Sequence, residues 1–424
     1  MRRTLPATTV YLMFMAADGF LLHLTTVVFS VFLIVEIGLD PLRLVLMGTI
    51  LEASFLLFEV PTGVVADTVS RRLSVIVGVA GSGLGFLLLG ASTSFLMAGL
   101  SQVVWGVFAT FVSGADVAWL TDEVGEERAR EYYVRGDQLW NLASLAGIAA
   151  SVALASIDLR LPIIVCGVGS IVLAGTLAVV MPEEHFRPRD RKEGERLHQG
   201  LVATFRAGLT QVRAHHVLLL IIAVAAVHGA STEGFDRLAD FHILRDIGLP
   251  PLGGLNRVVW FGILDGVALV IGVIGLQVLR RRTHLVGHVH VARLLAAIDL
   301  VLIAGVVVFA VAGSFWLAVA AFWLVSALRN VRRPIFTAWI NQGLDPATRA
   351  TINSMASQAD AVGQAGGGPV LGVIANRASV PWALAVSGLL RAPALLLYAV
   401  AIRRGTVGTA VPVNAELELH LDEP

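Results

Sequence analysis

Residues 73–115 read LSVIVGVAGSGLGFLLLGASTSFLMAGLSQVVWGVFATFVSGA, without a single Asp, Glu, Lys or Arg. Only Ala91-Ser92-Thr93-Ser94 interrupts the apolar run, and it is turn-like. A helix crossing the hydrocarbon core needs about 20 mostly apolar residues. The stretch therefore predicts two spanning helices joined in a tight hairpin. Extending the same criterion in both directions predicts twelve spans: 10–35, 43–66, 73–91, 94–119, 138–157, 161–181, 216–238, 258–280, 289–312, 315–341, 353–375 and 381–402. The first run is longer than a cleaved signal segment, so it is expected to be a retained helix. The expected fold class is all-α, a polytopic membrane protein.

Composition points the same way. The 424 residues are 56% hydrophobic and 15% charged, with 31 Lys+Arg balancing 31 Asp+Glu. Soluble domains carry roughly 25% charged residues. The mean hydropathy is +0.79. A neutral chain of this kind is not a basic nucleic-acid binder. The lone Cys166 excludes an internal disulfide and a cysteine zinc cluster. No phosphate-binding Gly-x-x-x-x-Gly-Lys-Ser/Thr loop, metalloprotease motif or nucleophile elbow occurs. No enzymatic activity, cofactor or metal is expected.

Basic residues orient the chain. With both termini in the cytoplasm, 20 fall on the cytoplasmic side and 5 on the outside. The positive-inside rule selects that arrangement. The expected organisation is an N-terminal six-helix bundle (1–181), a cytoplasmic linker (182–214), a C-terminal six-helix bundle (215–404) and a disordered tail (405–424).

The two halves repeat. Asp18-Gly19 precedes Glu36-Ile37-Gly38-Leu39-Asp40-Pro41, as His228-Gly229 precedes Asp246-Ile247-Gly248-Leu249-Pro250-Pro251. Ile50-Leu51-Glu52 matches Ile263-Leu264-Asp265. Ser94-Phe95, Ala118-Trp119, Gln138 and Gly147 match Ser314-Phe315, Ala338-Trp339, Gln358 and Gly367, all at a shift of 220. A parallel repeat of this type places a binding site between the halves near the bilayer midplane.

The second span ends in Gly63-Val64-Val65-Ala66-Asp67-Thr68-Val69-Ser70-Arg71-Arg72. With the twelve spans and the repeat, this stretch resembles the loop signature of the major facilitator superfamily. Gly63, Asp67, Arg71 and Arg72 match it, whereas Thr68 and Ser70 replace a basic residue and a glycine. The resemblance implies a gate latch, with Asp122 as the neighbouring acid and Arg71 as its partner. Physically, Gly63 would admit a close neighbour, and Asp67 would sit at a helix N-terminus. The arginine within the fourth helix of proton-coupled drug exporters is replaced by Gln102. A Gly-Pro pattern appears instead in the eleventh span, at Gly363 to Pro369.

Charges at mid-helix cost roughly 2.5–3.5 kcal/mol on insertion scales, so they face a watery cavity or each other. Asp18, Glu52, Asp265, Asp299, Arg329 and Arg391 are placed deep, with the two arginines positioned to neutralise Asp299 and Asp265. Arg332 and Arg333 are placed near the cytoplasmic end, where they snorkel. Glu233 and Arg237 form an i,i+4 pair serving as an outer gate or a surface pair. The expected substrate-contacting set is Asp18, His23, Glu52, Trp105, Asn141, His228, Asp265, Asp299, Arg329, Gln358 and Arg391. Glu52, Asp18 and Asp265 are the expected proton carriers.

The resemblance implies a secondary transporter of the plasma membrane. Its partners would be protons, a small-molecule substrate and the lipid bilayer, with the chain monomeric. Proton-coupled efflux of an amphipathic drug-like compound is the leading expectation. Uptake of a small polar or anionic solute, and a non-transporting sensor, are the alternatives.

Overall fold

A computed structural model describes residues 4–188, 216–253, 255–282, 288–341 and 346–404, and these contain helices and no strand. The expected linker beyond residue 188 and the tail 405–424 lie outside the described residues. The first half contains α1 (Ala7–Val35), α2 (Pro41–Thr68), α3 (Arg71–Gly90), α4 (Phe95–Val112), α5 (Ala115–Val124), α6 (Glu126–Ala155) and α7 (Leu161–Val180). The second contains α8 (His216–Phe241), α9 (Val258–Arg282), α10 (His288–Ala310), α11 (Phe315–Asn341), α12 (Pro346–Arg377), α13 (Val380–Leu389) and α14 (Ala392–Arg404). Eleven helical stretches among the described residues are long and apolar enough to cross a membrane, and the protein is a multi-pass membrane protein. The remaining long helix, α12, has 32 residues but is rich in Gly, Ala and amides. It survives because protein covers it on several sides.

Departures from the expected spans have local causes. The fourth span breaks at Ser113-Gly114, where Gly114 takes φ +75°, so α5 restarts in a new direction. α6 begins at Glu126, well before the expected residue 138. Exposed pairs Glu126–Arg130 (3.8 Å) and Glu131–Arg135 (2.6 Å) support the added turns. The last span divides into α13 and α14 just before Pro393, which has no N–H to continue the helical ladder. α8 runs on into a single π-helical stretch, His242–Ile247.

The repeat is visible as packing. A Cβ on Gly147 of α6 would lie 2.4 Å from the Phe20 carbonyl of α1, and one on Gly367 of α12 would lie 2.6 Å from the Ala230 carbonyl of α8. Gly19 likewise abuts the Trp140 carbonyl (2.5 Å), and Gly229 abuts that of Asp360 (1.9 Å). Each half thus has its first and fifth spans in backbone contact at matching positions. Without a hydrophobic drive between helices in lipid, such close approach supplies the cohesion.

The Leu5 amide bonds to the Val180 carbonyl (3.0 Å), which fixes the start of α1 beside the end of α7. We call this the termini end and its opposite the far end. At the far end the halves are clasped. Asn376 donates to Asp40 Oδ1 (2.9 Å) and accepts from the Leu42 amide (3.1 Å). Gly372 faces Leu42, Gly368 faces Thr49 and Val45, and Gly262 of α9 faces Val152 of α6. Asp40 also caps α2 by accepting from the Arg43 amide (3.1 Å). Partial burial alone would raise its pKa, but the Asn376 amide, the Arg43 N–H and charge and the Leu42 N–H outweigh that and hold it below the usual carboxylate range. The depressed value means the clasp is at full strength above the ordinary carboxylate pKa and weakens only as acid titrates Asp40. Toward the termini end of α2, Gly63 has nothing within 4 Å of its Cβ position. The expected close neighbour at Gly63 is therefore missing in this conformation.

Candidate functional site

Two cavities lie between the halves. The larger, about 770 Å³, opens beneath the far-end clasp and carries Glu52 of α2, His228 of α8, Arg329, Arg332 and Arg333 of α11, and Asp360 of α12 on its wall. The smaller, about 290 Å³, lies toward the far end and is lined from both halves, by Trp105, Asp265 and others. Asp236, Ser326 and Arg329 belong to both walls. Asp236 and Arg329 form a two-pronged ion pair, Nη1 to Oδ1 at 2.5 Å and Nη2 to Oδ2 at 2.7 Å. This pair marks the boundary between the two spaces. Arg329 was expected to neutralise Asp299 or Asp265. Its nearest carboxylate is instead one helix face away on α8, and the planar fork fits it in register.

Of the expected substrate-contacting residues, Glu52, Trp105, His228, Asp265 and Arg329 line the two cavities. Asp18 and His23 do not; they pack on Trp140 of α6. Trp140 Nε1 donates to Asp18 (3.0 Å), and its ring stands edge-on to His23, 5.0 Å away. Asn141 bonds to its own helix at Asp137 O (2.6 Å), and Gln358 is half-buried outside both cavities.

Asp299 is 0% exposed and is the centre of a polar core in the second half. It accepts from Arg332 Nε (2.7 Å), Arg391 Nη1 (3.2 Å) and the Tyr398 hydroxyl (2.9 Å). Arg332 does not snorkel as expected. It is 3% exposed, because Asp299 and Tyr398 offer it partners inside the bundle. The Glu233–Arg237 pair forms at 3.1 Å, but it is buried against Gly48 of α2 and is not a surface pair. It therefore belongs to the packing between the halves.

A contact outside the expected set is His228 Nδ1 to Asp360 Oδ1 at 2.8 Å, with Gln364 donating to the same carboxylate at 2.8 Å. It is the repeat counterpart of Asp18–Trp140, since 18 and 228 differ by 210 and 140 and 360 by 220. Each couples the first helix of a half to its fifth. The shift was visible in the sequence; the pairing of the first helix with the fifth needed the fold.

The loop at the termini end assembles as a latch. Arg71 pairs with Asp122 at short range, donates to Ala118 O (2.8 Å) and reaches Asp67 at 3.5 Å. Asp67 lies in the last turn of α2, not at a helix N-terminus as expected. The dipole there disfavours an anion, and Arg71 four residues on compensates. Arg72 turns away and holds the end of α7 through Met181 O (2.7 Å) and Ala178 O (2.5 Å). Ser70 caps α3 at Leu73 N (2.9 Å) and donates to Glu183 (2.7 Å), which also accepts from the Arg72 amide (2.9 Å). Glu183 had no motif to announce it. Asp67→Asn is expected to leave membrane abundance near normal and lower flux about tenfold, since it weakens a loop contact without opening a core. Unaltered initial rates in vesicles with matched protein would exclude the latch role.

The Major Facilitator Superfamily model matches residues 8–298. The chain belongs to that superfamily. A relative from Bacillus subtilis (strain 168), the uncharacterized MFS-type transporter YxaM, is 27% identical over 154 residues. That stretch is 36% of this chain and 38% of the relative, so the match spans well under half of the relative's length. Among solved structures, a point mutant of the nucleoside transporter NupG superposes with a TM-score of 0.74 at 11% identity, covering 93% of this chain and 99% of that one. A bacterial homolog to the human lysosomal transporter Spinster, inward-facing and unoccupied, gives 0.73 at 14%, covering 94% and 98%. The peptide transporter POT in complex with sulfate gives 0.70 at 14%, covering 94% of each. At these identities the likeness is one of fold. Membership and fold together place the chain among proteins with the superfamily's transporter fold.

Proposed function

We propose that this chain is a proton-coupled secondary transporter that exports an amphipathic small molecule by alternating access, with two six-helix halves (1–181 and 215–404) rocking about a central site. The observation that carries the reading is an asymmetry between the two ends: the halves are clasped at the far end by Asn376 on Asp40, whereas Gly63 near the termini end of α2 faces open space and the larger cavity lies between these ends. The excess of arginine near the termini end supports a cytoplasmic position for that end, and with it an inward-open reading of this conformation. The Spinster homolog, itself inward-facing, is a neighbour in fold. Glu52 supports proton coupling, because it faces the open cavity with no ion-pair partner within 4 Å among the described residues. Plasma-membrane residence and a monomeric state complete the reading.

A cross-link tests it. A Cβ on Gly372 would sit 3.1 Å from Leu42 Cα, so Leu42→Cys with Gly372→Cys puts two thiols within disulfide reach. Cys166 is 0% exposed and contributes no competing thiol. In a host lacking its main pumps, a compound panel identifies a substrate by protection on expression. Oxidised double-cysteine protein in inverted vesicles is expected to lose proton-driven accumulation of that compound, and dithiothreitol to restore it. Undiminished accumulation by fully cross-linked protein would show that the far-end clasp need not open.

A further inference from the structure

We infer that the smaller cavity is a subsite for a compact aromatic or alkyl ammonium group, with Asp240 and Asp265 as its counter-charges. The inference deepens the export reading by naming the charge class of the substrate. It begins with the charges on the wall. Five charged side chains line this space: Asp236, Arg237, Asp240, Asp265 and Arg329. Arg329 is committed to Asp236 through both Nη atoms, and Arg237 is committed to Glu233. Asp240 receives a hydrogen bond from Ser30. Neither Asp240 nor Asp265 has an ion-pair partner within 4 Å among the described residues. Carboxylates left unpaired inside a membrane mark a ligand or ion pathway.

The rest of the wall fits a cation with an apolar body. Phe86 and Trp105 lie 5.1 Å apart on one side, and Phe235 and Phe322 are stacked at 5.7 Å on the other. Rings present a negative face to a cation within about 6 Å. The wall already uses its rings that way: Arg329 lies over Phe235 at 5.7 Å, and Arg237 lies over Phe29 at 5.8 Å. Thr25, 2% exposed, borders this space with its hydroxyl beside the Cys166 thiol. At about 290 Å³ the space is at the small end of ligand pockets, roughly 300–1,000 Å³. It suits the head of a ligand whose remainder extends past the Asp236–Arg329 pair into the larger cavity.

The test uses the purified full chain at pH 8 with radiolabelled benzyltrimethylammonium in a scintillation proximity assay, with no gradient and no flux. On the unmodified protein, unlabelled benzyltrimethylammonium is expected to compete, benzyl alcohol at least tenfold less well, and phenylacetate not at all. Asp240→Asn and Asp265→Asn should each weaken binding about tenfold, and Asp265→Glu should recover most of the loss. Phenylacetate competing as well as the cation, or full affinity in a monodisperse double-Asn variant, would overturn the assignment. The competition series needs no variant and decides the matter even where a substitution fails to fold. Selective cation binding without any vesicle accumulation would sink the export reading alone; accumulation indifferent to both aspartates would sink this inference alone.

Discussion

Asp299→Asn is expected to remove most folded protein from the membrane. The side chain is 0% exposed and answers two guanidinium groups and a phenol at once. Asparagine keeps the shape but leaves Arg332 and Arg391 as buried cations with no anion. Breaking a buried pair from one side costs about 3–5 kcal/mol, which is a large part of a typical margin of about 5–15 kcal/mol. The size of the effect comes from the orphaned cations more than from the lost attraction. A second substitution separates the two. Asp299→Asn combined with Arg391→Gln removes one orphan and should recover part of the yield and of the heat resistance in detergent. Size-exclusion profiles after a temperature ramp measure both. A single variant as heat-resistant as the parent would mean that the network is not what holds α8, α10, α11 and α14 together.

Glu52→Gln is expected to abolish uphill transport while sparing exchange. Glu52 has apolar neighbours on its own helix, faces the larger cavity, and has no arginine within ion-pair distance among the described residues. A carboxylate alternately wetted and buried is the simplest proton carrier. Glutamine retains the hydrogen-bonding shape without the proton equilibrium. Vesicles carrying the variant should swap labelled for unlabelled substrate at near the parental rate. Their accumulation ratio should fall to about one under an imposed pH gradient, since without coupled proton movement no free energy drives it. If Glu52 were structural, yield and exchange would fall together. Gradient-driven accumulation by well-folded Glu52→Gln protein would remove this residue from coupling, and His228–Asp360, on the same wall, would be the next pair to alter.

What could be read without a structure follows from the range of each force. Apolar length is a local property, so eleven of the twelve expected spans meet it among the described residues, with limits off by a few residues at most ends and by twelve at the start of α6, where exposed ion pairs extend the helix. Arg71 with Asp122 was legible because a motif linked them, and Glu233 with Arg237 because one turn of helix links them. The partners of Arg329, Arg332 and Arg391 were not legible in full. Each ion pair is made across helices, where a rotation of one residue changes the neighbour. Depth along a span placed Arg332 at a wet end, whereas its actual surroundings are Asp299 and Tyr398. Asp240 gave no signal at all, since it lies at the far end of α8, where a carboxylate in water would be unremarked. Its interest arises only from the rings that α3, α4 and α11 bring round the same space.

The glycine-to-carbonyl contacts of α1 with α6 and of α8 with α12 also set the mechanics of the molecule. Two rods in backbone contact cannot slide or splay without first losing that contact, so they bend as one beam. A composite beam is stiffer than its members taken separately. Each half therefore carries a keel made of its first and fifth spans, at Gly19 and Gly147 in one and at Gly229, Gly363 and Gly367 in the other. Thermal energy deforms the compliant joints of a framework before its stiff members. The seams between the halves combine side-chain clasps with fewer such contacts: α2–α12 holds through Asn376 and Gly372 at the far end, and α6–α9 through Gly262 against Val152.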